Sequence, residues 1–239
     1  TVDQRVERLY DTRSPAFHRS MGVLLGPAIV PGNRVDTLVD GDQIFPAMLA
    51  AIRGAQQSIT FETYIYWQGA IGQRFADALV ELARAGVRVH VLLDAIGAAK
   101  MDDAMVAEMQ RAGVEVERYH PLAWYQLGRL NNRDHRKTLV VDGRIGFTGG
   151  VGIADKWDGH AQDADHWHDT HYRVEGPVVA QMQATFLDNW IQVRGEVLHG
   201  DRYFPALASA GPSEAQMFMS SPTGGSDSMH LMYLLAITS

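Results

Sequence analysis

Two stretches of this chain follow one pattern, and that pattern narrows the fold more than any other feature. "GQRFADALVELARAG" (72–86) has apolar residues at helical spacing and stops on glycine, and "VRVHVLLD" (87–94) follows at once as a nearly continuous apolar run. "MDDAMVAEMQRAG" (101–113) again stops on glycine, and "VEVERY" (114–119) follows. Glycine ends helices because it enters the left-handed region without a Cβ clash. A short, unbroken apolar run after such a stop reads as a strand covered on both faces. Strands joined through helices imply right-handed βαβ crossovers and an α/β sandwich.

The remaining elements fit that class. "DQRVERLY" (3–10) reads as a short amphipathic helix, followed by a loop to about Asn33. "RVDTLVDG" (34–41) is a strand entering a turn. Asp42 is expected to cap the helix "QIFPAMLAAIRGA", with Pro46 in its first turn, where a missing N–H is tolerated. "SITFETYIYW" (58–67) is β-branched and aromatic, so a strand. "HRKTLVVDGRIGFTGG" (135–150) breaks the alternation: Asp142-Gly143 joins two strands as a tight hairpin. The sheet is therefore expected to be mixed, though mainly parallel.

A polar loop (155–169), the strand "THYRVEG" and a helix from Pro177 to about Val193 come next. A loop rich in Gly, Pro, Ala and Ser (195–213) leads to a strand in "EAQMFMSSP" and a helix in "DSMHLMYLLAI". Met217, Met219, Met229 and Met232 fall at strand and helix spacing, so they are expected in the core rather than against lipid. This last βα pair has no successor, which suggests a piece of a longer chain.

Composition removes several function classes. The absence of cysteine excludes disulfides and cysteine-based metal centres. A net charge of −7 disfavours a nucleic-acid coat. "MGVLLGPAIVPG" (21–32) is too short to cross a bilayer and is broken by Pro27 and Pro31.

The chemistry points to "NNRDHRKTLVVD" (131–142). His135 and Lys137 are two apart on an expected strand, so they leave it on one face. A neutral imidazole beside an ammonium suits attack on a phosphodiester: the ring attacks phosphorus and the cation holds the non-bridging oxygens. No metal or other cofactor is required. His-x-Lys-x4-Asp arises by chance with an expectation on the order of 0.01 in such a composition. Asp142 has the opposite parity and starts the turn, so turn chemistry is its plainer role. The loop 158–171 is rich in His and Asp; zinc ligation is one reading of it and a solvated surface the better one.

These residues carry a resemblance. "NNRDHRKTLVVDGRIGFTGGVGIADKW" resembles the HxK(x)4D signature of the phospholipase D superfamily, and bacterial cardiolipin synthases most closely. The likeness continues in "RVDTLVDGDQIFPAMLAAI", "ITFETYIY", "VRVHVLLDAIG" and "HWHDTHYRVEGPVV", over most of 33–190.

The resemblance implies phospholipid phosphodiester transfer or hydrolysis through a phosphohistidine, with two α/β/α halves sharing one active site. It makes His135 the nucleophile and Lys137 the phosphate ligand, and Asp142 matches the motif aspartate. Asp169 matches an acidic residue that orients the histidine, and Glu62 a strand glutamate near the site. Gly149 and Gly150 match the glycines after the motif, and Arg133 joins Glu62 and these two as a candidate for substrate binding. Gly152 departs from the pattern, which has an asparagine there to help hold the phosphate.

Only His135 among the histidines has a lysine two positions on. The second motif is therefore expected from another half, in cis or in a dimer. The implied organisation is an N-terminal helix and loop (1–32), a catalytic half (33–195), a linker (196–213) and the start of a second half (214–239). Phosphatidylglycerol or a similar phospholipid is the expected substrate, at the cytoplasmic face of a membrane, with the chain itself soluble. A phospholipase D-type hydrolase, a nuclease of the same chemistry and a non-catalytic binding half are the alternatives. Water, glycerol and a second phospholipid all remain open as acceptors.

Overall fold

The computed structural model describes residues 11–119, 134–219 and 226–238. The expected α/β/α sandwich is present. Its core is one eight-stranded sheet in the order β4-β3-β2-β5-β6-β7-β1-β8. The strands are β1 (Val30–Val39), β2 (Ser58–Thr63), β3 (Arg88–Asp94), β4 (Glu115–Tyr119), β5 (Lys137–Val141), β6 (Ile145–Gly149), β7 (Thr170–Glu175) and β8 (Ser213–Ala215). The helices are α1 (Pro15–Leu25), α2 (Asp40–Arg53), α3 (Ala70–Arg84), α4 (Asp103–Arg111), α5 (Val179–Arg194) and α6 (Ser226–Thr238).

Strand parity divides the core into two layers. Ile59, Phe61, Val89, Val91, Leu93, Leu139 and Phe147 leave the sheet on one face and pack under α2, α3 and α4. Leu92 leaves it on the other and meets Phe186 and Trp190 of α5. Val140 and Val174 on that same face meet Met182. A fully buried side chain of this size contributes about 1.5–3 kcal/mol, so neither layer is dispensable.

The sheet is mixed, as expected, but not mainly parallel. Only β2–β3 and β3–β4 are parallel. The other five pairings are antiparallel. Two helix crossovers supply the parallel pairs, and β5 then enters against β2 in the opposite direction. The β5–β6 hairpin and the turn back into β7 continue that alternation.

Three local expectations also change. The stretch before Asn33 contains α1, whose N-cap Ser14 accepts the Ala16 N–H at 3.2 Å and whose first residue is Pro15. α2 begins at Asp40 rather than after Asp42, so Pro46 lies inside the helix. No side chain caps the first turn of α2; Gln43 instead reaches back to accept the Val39 N–H at 3.1 Å. The segment 3–10 lies outside the described residues.

Asp142 shows what the hairpin is built for. Asp142 and Gly143 both have positive φ, 53° and 63°, which the tight turn requires. The Asp142 carboxylate accepts the backbone N–H groups of Gln56 (2.9 Å), Gln57 (2.7 Å) and Ser58 (2.9 Å). It thereby ties the hairpin to the start of β2. Replacing Asp142 with Ala leaves three amides to find water and strains the turn. The expected loss is roughly 3 kcal/mol in urea denaturation, with Asp142→Asn losing less because it keeps the turn and one acceptor.

Candidate active site

The site forms where β5 enters the sheet. The pairing Thr63↔Lys137 sets the start of β5 beside the end of β2. The carboxyl ends of the parallel strands β2, β3 and β4 therefore point at the segment 134–137. The crevice beyond such strand ends is where open α/β sheets bind ligands.

The segment is anchored on both sides of His135. The Asp134 N–H donates to Asp94 Oδ2 at 3.0 Å. Asp94 Oδ1 accepts from Ile96 and Gly97, at 2.9 and 2.8 Å. Arg136 donates to the Thr185 carbonyl at 2.9 Å and to Asp188 at 3.0 Å, both on α5. Between these anchors the His135 ring lies against Tyr64, with centroids 4.7 Å apart.

Lys137 and His135 meet as the spacing predicts. Lys137 Nζ is 3.4 Å from His135 Nδ1 and donates to the His135 carbonyl at 3.1 Å. Burial and the Lys137 charge push the His135 pKa below its ordinary value, against a smaller pull from Asp134 and Asp94. Burial also lowers the Lys137 pKa, while Asp169 and Asp134 oppose the shift. The imidazole is thus held neutral beside a cation, the state in which it can attack.

Both residues open onto a cavity of about 380 Å³. His135, Lys137, Thr138 and Thr148 are among its polar lining residues, and Met217, Phe218 and Met219 line it as apolar ones. Met219 is exposed there, and Met217 also packs on the Val140 layer. Met219 therefore faces the cavity rather than filling core, while Met217 does both. Met232 packs against Phe17 and Met21, as expected of a core residue, and the Met229 side chain lies outside the described set.

The other sequence candidates fall in different places. Asp142 lies at the far end of β5, on the order of 20 Å from His135 along the strand, so the structure does not bring it to the catalytic pair. Glu62 is fully buried, its Oε1 accepts from Asn189 at 2.6 Å, and it does not line the cavity. Asp169 accepts from Trp157 Nε1 (2.9 Å) and the Thr170 N–H (2.8 Å), and its charge acts on Lys137 rather than on His135. Gly149 lines the cavity. A Cβ on Gly150 would collide with the Asp169 carboxylate, so that glycine permits the close approach. Arg133 lies outside the described residues.

Gly152 has a steric reason. A Cβ there would come within 2.7 Å of Ile65 Cβ and 3.1 Å of the Trp157 ring. No asparagine fits this packing. In the loop that follows, the His and Asp residues pair singly: His166 with Asp163 (2.6 Å), Lys156 with Asp165 (2.7 Å), His168 with Asp40 (2.8 Å). Among the described residues no three His, Asp or Glu groups come together as metal ligands.

Sequence reasoning missed Asp134, Asn189 and His171. His171 is buried on β7, paired with Gly149, and its Nδ1 has no partner among the described residues. A Cβ on Gly149 would lie 2.6 Å from that Nδ1, so the glycine makes room for the ring. Burial and the Lys137 charge lower the His171 pKa to about 4, which keeps it neutral. The signal for Asp134 was its position directly before His135. Asn189 and His171 gave none, because only the fold brings them to the site.

Comparison with solved proteins gives the same fold. The phospholipase D family member Nuc from Salmonella typhimurium superposes with a TM-score of 0.52 at 17% identity, over 68% of this chain and 97% of that one. A phosphatidylserine synthase from Haemophilus influenzae gives 0.54 at 14%, over 72% of this chain and 40% of that one. The fold is thus of the phospholipase D class.

The family described as "Cardiolipin synthase, PLD-like domain" matches residues 48–190, and the chain belongs to that family. Cardiolipin synthase from Geobacillus kaustophilus is 34% identical over 205 residues, covering 84% of this chain and 41% of that protein. The one from Oceanobacillus iheyensis is 35% identical over 191 residues, covering 80% and 40%. The chain therefore spans about two fifths of the length of these relatives.

Restoring the family asparagine tests the account of Gly152. Gly152→Asn should cost about 2 kcal/mol in urea denaturation, since Ile65 and Trp157 must move. Trimming the obstruction with Ile65→Ala in the same chain should recover part of that loss.

Proposed function

We propose that this chain contributes one half of a phosphatidyltransferase of the cardiolipin synthase type, acting on phospholipid through a phosphohistidine at His135. One observation carries the reading: a neutral imidazole and a buried ammonium stand 3.4 Å apart and line a cavity that polar and apolar side chains share. The cation suits a phosphodiester, and the methionine and phenylalanine wall suits acyl or glyceryl carbon. Membership of the family supports the same substrate class.

The geometry constrains the attack. His135 Nδ1 faces Lys137, and Nε2 has no partner among the described residues. For Nε2 to attack phosphorus, the ring proton must sit on Nδ1, which cannot then accept from the ammonium. Lys137 therefore turns from His135 to the phosphate oxygens when substrate arrives. Attack forms the nitrogen–phosphorus bond and expels the first alcohol, which takes a proton from a second histidine. That histidine comes from a second half, in cis or on another copy. It then deprotonates the acceptor alcohol, and the phosphatidyl group leaves His135. Work at a membrane surface follows from the substrate. Among the described residues no helix is long and apolar enough to cross a bilayer.

In the full-length protein, assayed with labelled phosphatidylglycerol vesicles, His135→Ala should abolish turnover, and Lys137→Ala should reduce it at least about 10³-fold. Quenching the wild type in denaturant at alkaline pH, where the acid-labile nitrogen–phosphorus bond survives, should trap phosphate label on His135. Unchanged turnover in His135→Ala ends the nucleophile assignment, and plasmid cleavage in place of lipid product would point to the nuclease alternative. The pH profile has a definite sign. His135 attacks when neutral and its pKa is lowered, so the acid limb should fall below about pH 6.5.

A further inference from the structure

Beneath the cavity two carboxyl groups lie against each other with no cation between them. Glu62, at the end of β2, and Asp134, directly before His135, are both buried. Each has one oxygen in use: Glu62 Oε1 accepts from Asn189 at 2.6 Å, and Asp134 Oδ1 accepts the Arg136 N–H at 3.2 Å. Each has the other oxygen, Glu62 Oε2 and Asp134 Oδ2, buried with no donor. The two side chains are within hydrogen-bonding range of one another. Two carboxylates cannot meet this way in a dry site, because neither oxygen can donate. A single proton turns the two orphans into one donor and one acceptor.

We propose that Glu62 and Asp134 hold one proton between them, and that this shared proton is the clamp that positions His135 for attack. This rests on the role proposed for His135. The other ties on the segment are the backbone of Asp134 on Asp94, Arg136 on Thr185 and Asp188, and Lys137 on the His135 carbonyl. The Glu62–Asp134 contact is the one that fails when a proton leaves. Glu62 and Asp134 are thus positioning residues, since neither touches the reacting atoms.

The surrounding charges agree. Asp94 at the end of β3 disfavours a second negative charge on the pair, while Arg136, itself paired with Asp188 on α5, favours the first. Tyr119 at the end of β4 is itself held protonated by burial and by these carboxylates. His135 and Lys137 lie on the cavity side. Burial raises the pKa of both carboxyls above the ordinary range. A carboxyl raised in the folded state contributes stability that is full below its unfolded pKa, about 4, and is lost as pH rises through the folded value. The clamp therefore weakens on the alkaline side.

Glu62→Gln separates the proton from the contact. Its amide Nε2 can donate to Asp134 while Oε1 still accepts from Asn189, so the bonds remain and the titration goes. Infrared spectroscopy of the full chain should show a protonated-carboxyl stretch at neutral pH in the wild type, absent from Glu62→Gln and from Asp134→Asn. No such band in the wild type, or a band that survives in both variants, overturns the shared proton. This arm needs no activity and stands whether or not the proposed function holds.

In the full-length enzyme, Glu62→Leu should lower kcat about tenfold or more with KM little changed, and Glu62→Gln should restore it. The wild type should lose kcat as pH rises, and Glu62→Gln should flatten that limb. An identical alkaline limb in both overturns the clamp. It leaves the nucleophile assignment to be judged by His135→Ala alone.

Discussion

The antiparallel pairing of β5 with β2 is the constraint on which the rest depends. It sets Thr63 opposite Lys137, and so delivers the start of β5 to the open ends of three parallel strands. A parallel β5 would have put its first residues at the other end of the sheet, beside the turn at Asp142. The His135–Lys137 pair would then have faced no crevice. The direction of one strand decides where two charges emerge, and the helices beneath merely hold that strand in place.

Charge at the site is managed by burial more than by pairing. Lys137 is largely enclosed, yet no carboxylate forms a direct ion pair with it among the described residues; Asp169 and Asp134 act at longer range. A tight ion pair would occupy the ammonium and compete with a phosphate. Neutrality of His135 and His171 beside the cation has the same source. Asp169 and Asp94 are set back, where Trp157 and backbone amides satisfy them. The shortest contact of the ammonium among the described residues is therefore a backbone carbonyl.

Much of the layer architecture was legible because it is local. A helix stopped by Gly86 or Gly113 and followed by valine-rich strand needs no tertiary information. Strand direction was not legible: nothing in "TLVVD" says which neighbour β5 will choose, and the expectation of a mainly parallel sheet failed there. α1 was missed although Ser14-Pro15 is a usable start signal, because the apolar run after it suggested a loop broken by prolines. At the site, the spacing of His135 and Lys137 survives folding because strand parity is local. The contact of Glu62 with Asn189 spans 127 residues, and no periodicity reports it.

Asp142 belongs to the same short signature as His135 and Lys137, yet its three amide bonds lie at the opposite end of the strand. The signature therefore carries two messages. Its first two letters speak for reactivity, and its last speaks for the assembly of a hairpin against β2. A descendant that gave up phosphorus chemistry would shed histidine and lysine freely while still needing the aspartate. Finding the aspartate alone in some distant sequence would testify to shared architecture and to nothing about what that sequence transforms.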